Sequence, residues 1–156
     1  MDFARINTRR DAEEGATYHV EYDGEALFFD GKPIEMDFLG LESETGRRAA
    51  ARMVKQLDRK SGGKRKGAKM SVDELLNAAE DSEKARAKFY AEICTGWRNV
   101  VYLEDSEIDN PDAVPQLLEF SKANAEKLFT TRPWMMEGID AFLGDKSNFL
   151  RDIVTS

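Results

Sequence analysis

Residue types that carry chemistry are sparse in this chain, which has one histidine, His19, and one cysteine, Cys94. A nucleophilic cysteine needs a base or another activating group at its side, and His19 lies far from Cys94 in the sequence. Within Phe89-Tyr90-Ala91-Glu92-Ile93-Cys94 the thiol reads instead as a small core residue near a helix end, the usual fate of a free cysteine. A single cysteine forms no internal disulfide, which agrees with a reducing compartment. His19 reads as a polar-face strand residue. The acids Glu104, Asp105, Glu107, Asp109 and Asp112 suit Ca²⁺ or Mg²⁺ by type, but the ordered spacing and central glycine of a calcium loop are missing. They read as a solvated loop. There is no Walker loop, no G-x-G-x-x-G and no paired Cys/His spacing for zinc. No catalytic, cofactor-binding or metal-binding residue is therefore assigned, and the chain is expected not to be an enzyme.

Charge narrows the partners. A net charge of −7 argues against non-specific binding to nucleic acid, whose phosphates call for a basic surface. The bases Arg59, Lys60, Lys64, Arg65, Lys66 and Lys69 are nevertheless clustered. Lys64, Arg65 and Lys66 would suit a nucleic acid or an acidic protein surface, or simply keep a linker soluble. No aromatic residue is interleaved for base stacking, so the linker reading is preferred. Toward the C-terminus the balance reverses, and from Glu104 to Asp152 acids outnumber bases by about two to one.

The elements that must position these residues follow from periodicity. With 156 residues the chain can bury one ordinary core, so a single compact unit with a flexible interruption is expected. Its first structured segment is expected near Thr17. Tyr18, Val20 and Tyr22 alternate as on one face of a strand; Asp23-Gly24 and Asp30-Gly31-Lys32-Pro33 supply turns; Ala26 to Phe29 returns; and Ile34, Met36 and Phe38 resume the alternation. This reads as a three-stranded antiparallel meander, covered by a helix capped by Ser43 and running to Asp58. Residues 59–70 read as a basic, glycine-rich flexible linker. Ser71-Val72-Asp73-Glu74 is a capping box opening a long helix to about Cys94, with Thr95-Gly96 as its stop. Trp97 to Leu103 reads as short strand or extended loop, and Glu104 to Pro115 as loop. Ser121 caps a further helix, and Thr131 with Pro133 opens another through Leu143. Ser147 to Val154 reads as a last helical turn or a docking tail. The fold class is thus α+β, a small N-terminal meander with its helix in residues 1–58 and a mainly helical C-terminal part in residues 71–156. Trp97, Trp134, Phe120, Phe129, Phe142 and Phe149 crowd that last third, more aromatic mass than so short a helical core needs, so one or two are expected to anchor a partner.

The order of several short motifs resembles a known family. Gly96-Trp97-Arg98-Asn99-Val100, then Glu119-Phe120-Ser121-Lys122-Ala123-Asn124 through Phe129, then Arg132-Pro133-Trp134 to Asn148-Phe149-Leu150, resembles the pattern of tail assembly chaperones of siphophages and related prophages. Gly31-Lys32-Pro33-Ile34 through Leu39-Gly40-Leu41-Glu42-Ser43 is similar to that family's N-terminal strand and helix start. The resemblance implies a viral, non-enzymatic, cofactor-free protein of the bacterial host cytoplasm. It would bind the tape measure protein, and in some cases tube subunits, during virion morphogenesis, keeping the tape measure's apolar helices soluble. The candidate anchors it implies are Trp97, Trp134, Met135, Met136 and Phe149, methionine suiting adaptable contact.

Two other classes fit the same letters: a structural tail or neck component retained in the virion, and a small nucleic-acid-binding regulator using the basic cluster. Nothing in the chain approaches a membrane-spanning apolar run, and Met1 to Arg10 lacks the apolar stretch of a signal peptide, so the cytoplasm is expected. Whether the chain forms a homo-oligomer is left open by the residues.

Overall fold

The computed structural model describes residues 3–60 and 71–149. The first helix precedes the segment where periodicity first signals structure. α1 (Thr8–Glu14) is capped by Asn7, whose side-chain oxygen accepts from the Arg10 N–H at 3.0 Å. Its seven residues are mostly charged, too short a run for an apolar period to show. It is held by Ala12, whose carbonyl accepts from the Gly40 N–H at 2.8 Å. The two backbones meet so closely that a Cβ on Gly40 would lie 2.6 Å from that of Ala12.

Two Asp-Gly pairs then fold the chain twice. Asp23 and Gly24 have φ of 52° and 80°, Asp30 and Gly31 51° and 74°, so both turns carry the paired positive φ that a tight hairpin requires. They join β2 (Glu21–Tyr22) to β3 (Glu25–Ala26) and β4 (Phe28–Phe29) to β5 (Lys32–Pro33). The three segments do not lie side by side as a meander. β1 (Ala16–His19) pairs directly with β6 (Glu35–Phe38), from Ala16 opposite Phe38 to His19 opposite Glu35. The middle segment is pushed outward, and the three arms meet in a ring of backbone bonds. The Val20 N–H donates to Ile34 O, the Leu27 N–H to Val20 O and the Ile34 N–H to Leu27 O, at 2.9, 2.9 and 3.1 Å. Strand alternation therefore breaks at the ring: Val20 is buried, whereas Tyr22 beyond it is exposed.

β6 finds its second neighbour late in the chain. β7 (Cys94–Arg98) pairs antiparallel with it, giving a three-stranded sheet in the order β1-β6-β7. Arg98 clamps the pair by donating to both carboxylate oxygens of Asp37 at 2.8 and 3.0 Å, and it holds that carboxyl below the usual carboxylate range. A bulge between Asp37 and Phe38 skips Thr95. Gly96 is accordingly not a helix stop. The long helix α3 (Val72–Ile93) passes straight into β7, and Gly96 stands opposite Asp37 within the sheet.

α2 (Glu44–Lys60) runs through Arg59 and Lys60, so the basic stretch begins as helix; Lys64, Arg65 and Lys66 lie outside the described residues. α3 is capped as its sequence indicates, Ser71 Oγ accepting from the Glu74 N–H. It packs against both α2 and α4 (Lys122–Thr131), the latter capped by Ser121. Thr131 does not open the next helix: it ends α4, its hydroxyl donating to Lys127 O, and α5 (Trp134–Gly144) starts after Pro133. The fold is α+β, antiparallel strands followed by a mainly helical C-terminal part. One core unites them, with Met36, Phe38, Ile93, Phe129 and Ile139 fully buried between the sheet and the helices.

Of the three serine caps only Ser43 is buried, which sets it energetically apart from Ser71 and Ser121. Ser43 Oγ is buried and doubly engaged, donating to Gly40 O at 2.6 Å and accepting from the Gly46 N–H at 2.9 Å. Ser43→Ala should cost about 1–2 kcal/mol in urea unfolding. Ser71→Ala, at an exposed cap, should cost about 0.5 kcal/mol. Equal losses would mean that burial of the first cap adds nothing.

Candidate functional site

The side chains that the sequence marks as anchors divide sharply on folding. Met135, Met136 and Phe149 are buried in the core; Met136 is 1% exposed. They face inward because α5 lies against β2 and α3, which turns the Met135, Met136, Ile139 and Leu143 side of the helix to the interior. They are therefore not available to grip another chain. Trp97 is half-buried and occupied: its indole N–H donates to Leu118 O at 2.7 Å and its ring meets Phe120 edge-on at 5.0 Å. It fastens residues 118–120 to the sheet. Only Trp134 of the five is exposed, at 37%, and its ring stands edge-on to the exposed Tyr22 at 5.0 Å.

Among the described residues, uncovered apolar surface appears instead on the first turns of α3. Val72, Leu75 and Leu76 recur at helical spacing over the first turns of α3, yet they are 73%, 54% and 59% exposed. Val54, near the C-terminal end of α2, is exposed as well. α3 has 22 residues and its buried positions begin only at Ala85, so its N-terminal half extends beyond the body that covers the rest. Helical spacing puts these three side chains on one face but does not say whether anything inside the chain covers it. Exposed Ile108, Val114 and Leu117 add scattered apolar surface along the acidic segment.

The acidic segment is tied to α4 and the residue that follows it. Glu104 pairs with Lys127 at 3.1 Å and Asp105 with Arg132 at 2.7 Å, while the ring of Tyr102 lies beneath both cations, 4.9 Å from the Lys127 ammonium and 5.0 Å from the Arg132 guanidinium. A short ladder of β8 (Val101–Tyr102) with β9 (Gln116–Leu117) closes the loop at its base. Among the described residues no group of three or more His, Cys, Asp or Glu side chains is arranged to hold a metal ion. Nor is any described helix long and apolar enough to cross a membrane.

Cys94 is buried, and burial pushes its thiol up to about 12. His19 is engaged with Leu27 O through Nε2 at 2.9 Å and stands edge-on to Phe28. No family model, curated protein or solved structure matches this chain.

The thiol shift has a definite sign. A group whose folded pKa is raised contributes stability that is complete below its unfolded value, here about 9, and that is lost as pH rises toward 12. Native Cys94 should resist thiol reagents at pH 8 and react freely in urea, and Cys94→Ala should flatten the fall in stability above pH 9. Rapid labelling of the native protein at pH 8 would contradict this burial.

Proposed function

We propose that this chain is a non-enzymatic assembly chaperone of the siphophage tail, working in the bacterial host cytoplasm on the tape measure protein. The observation that carries the reading is the row Val72, Leu75 and Leu76, uncovered among the described residues, on a helix whose other half is buried in the core. Contiguous exposed apolar side chains on a soluble protein mark a surface for another macromolecule. A helical row of this kind suits a second amphipathic helix laid alongside it. The resemblance in motif order supplies the client, a long helical protein whose apolar face needs cover until tube subunits replace it.

The physics of a reversible escort fits this surface. Three aliphatic side chains bury little area, so they hold a client without trapping it. The surrounding acids Asp73, Glu74 and Glu80 keep the row in solution when no client is bound. Trp134 and Tyr22 are a second exposed apolar point, on other elements.

Co-expression should raise the solubility of the cognate tape measure protein, and the two should co-purify. A client equally soluble without this chain would end the chaperone reading. Leu75→Ser with Leu76→Ser should abolish co-purification while changing unfolding free energy by less than about 0.5 kcal/mol per site, since both are exposed. Met136→Ala should do the reverse, costing about 2–5 kcal/mol while leaving the client surface in place.

A further inference from the structure

An open groove of about 970 Å³ runs between the β2–β3 hairpin and one side of α5. Its mouth is the edge-on pair Tyr22 and Trp134, both exposed. Asp145, whose carboxylate is held by Ser147, also lines it, and no lysine or arginine among the described residues does; around it stand the carboxylates of Glu21, Asp23 and Glu137. Among the described residues these three acids form no ion pair or side-chain hydrogen bond. Tyr18 forms the floor. It is 7% exposed, and its hydroxyl accepts a long bond from the Glu21 N–H at 3.4 Å while its own proton meets no acceptor among the described residues. α5 comes so near that a Cβ on Gly138 would lie 2.2 Å from that oxygen. The hydroxyl is thus held in place and left with a donor to spare.

The molecule contains a filled version of the same chemistry. At Tyr102 an aromatic ring, two cations and two carboxylates are assembled from Lys127, Arg132, Glu104 and Asp105. The groove repeats the ring and the carboxylates with no lysine or arginine among the described residues. Aromatic faces attract an ammonium or guanidinium, and nearby carboxylates fix its charge. An apolar stem of lysine or arginine would lie along Tyr22 and Trp134 with its head among the acids.

We propose that this groove binds a basic, lysine- or arginine-bearing segment of a partner polypeptide, its cationic side chain against Tyr22 and Trp134 and its charge among Glu21, Asp23 and Glu137. The free proton of Tyr18 serves a backbone carbonyl of that segment. The site is built from other elements than the apolar row of α3, and it holds whether or not the client is a tape measure protein.

The full chain titrated with a short peptide alternating Ala with Lys and Arg, at about 0.15 M salt, tests this. Binding is read by anisotropy of a labelled peptide and by the NMR shift of the Trp134 indole N–H. Saturable binding is expected, with the Trp134 signal moving and a glutamate counterpart of the peptide inert. Trp134→Ala should weaken it about fivefold, and Asp23→Asn with Glu137→Gln about tenfold. Glu107→Gln with Asp109→Asn removes the same charge elsewhere and should change it less than about twofold. Thermal melts check that each variant is folded. Absence of saturable binding, an unmoved Trp134 signal, or equal loss in the two charge-matched pairs would each overturn the proposal, the last by assigning the affinity to bulk acidity.

Discussion

The structure depends on one long-range pairing, that of β6 with β7. β6 carries two fully buried side chains, Met36 and Phe38, and it has two edges to satisfy. β1 covers one edge from the same end of the chain. The other is covered by residues that arrive only after two helices, with Asp37 and Arg98 separated by 61 positions. Closing so long a loop costs entropy, though the cost grows slowly with length. It is offset by a ladder of backbone bonds, by the forked Arg98–Asp37 contact and by burial of Ile93 and Cys94.

That pairing places everything after it. Because β7 continues directly from α3, fixing β7 in the sheet fixes the C-terminal half of α3 above it, and α3 then supports α2 on one side and α4 on the other. Lys122 at the start of α4 donates to Glu92 O and Cys94 O, locking the corner where helix becomes strand. Tyr90 reaches α5 by donating to Asp140 at 2.8 Å. The N-terminal half of α3 lies on the far side of this arrangement. Among the described residues its apolar row is left uncovered, because the buried positions of the helix begin only at Ala85.

Core packing and exposed apolar surface are thereby carried by different residues. The methionines of α5 fill the core, while the exposed apolar groups sit on the first turns of α3 and at the Tyr22–Trp134 pair, where substitution disturbs little packing. Charge is divided in the same way. The acids of residues 104 and 105 are spent on fastening the loop to Lys127 and Arg132, and those at 21, 23 and 137 remain unpaired among the described residues. The proposed escort role would need such a division, because a surface that also held the core together could not release a client without loosening itself.

Much of the local structure was legible in the sequence. Ser43, Ser71 and Ser121 cap helices because a side-chain oxygen meets an N–H three residues on, and two Asp-Gly pairs turn the chain because their backbones accept positive φ. The inert burial of Cys94 and the α+β class were legible for the same reason, since each follows from residues a few positions apart. Only the tertiary structure decided that β6 takes β7 as a neighbour, so that Gly96 is strand rather than stop. It also decided that Met135, Met136 and Phe149 turn inward while Val72, Leu75 and Leu76 stay out. Apolar periodicity says which side of a helix is greasy; what meets that side is set by segments distant in sequence, and no local interaction encodes it.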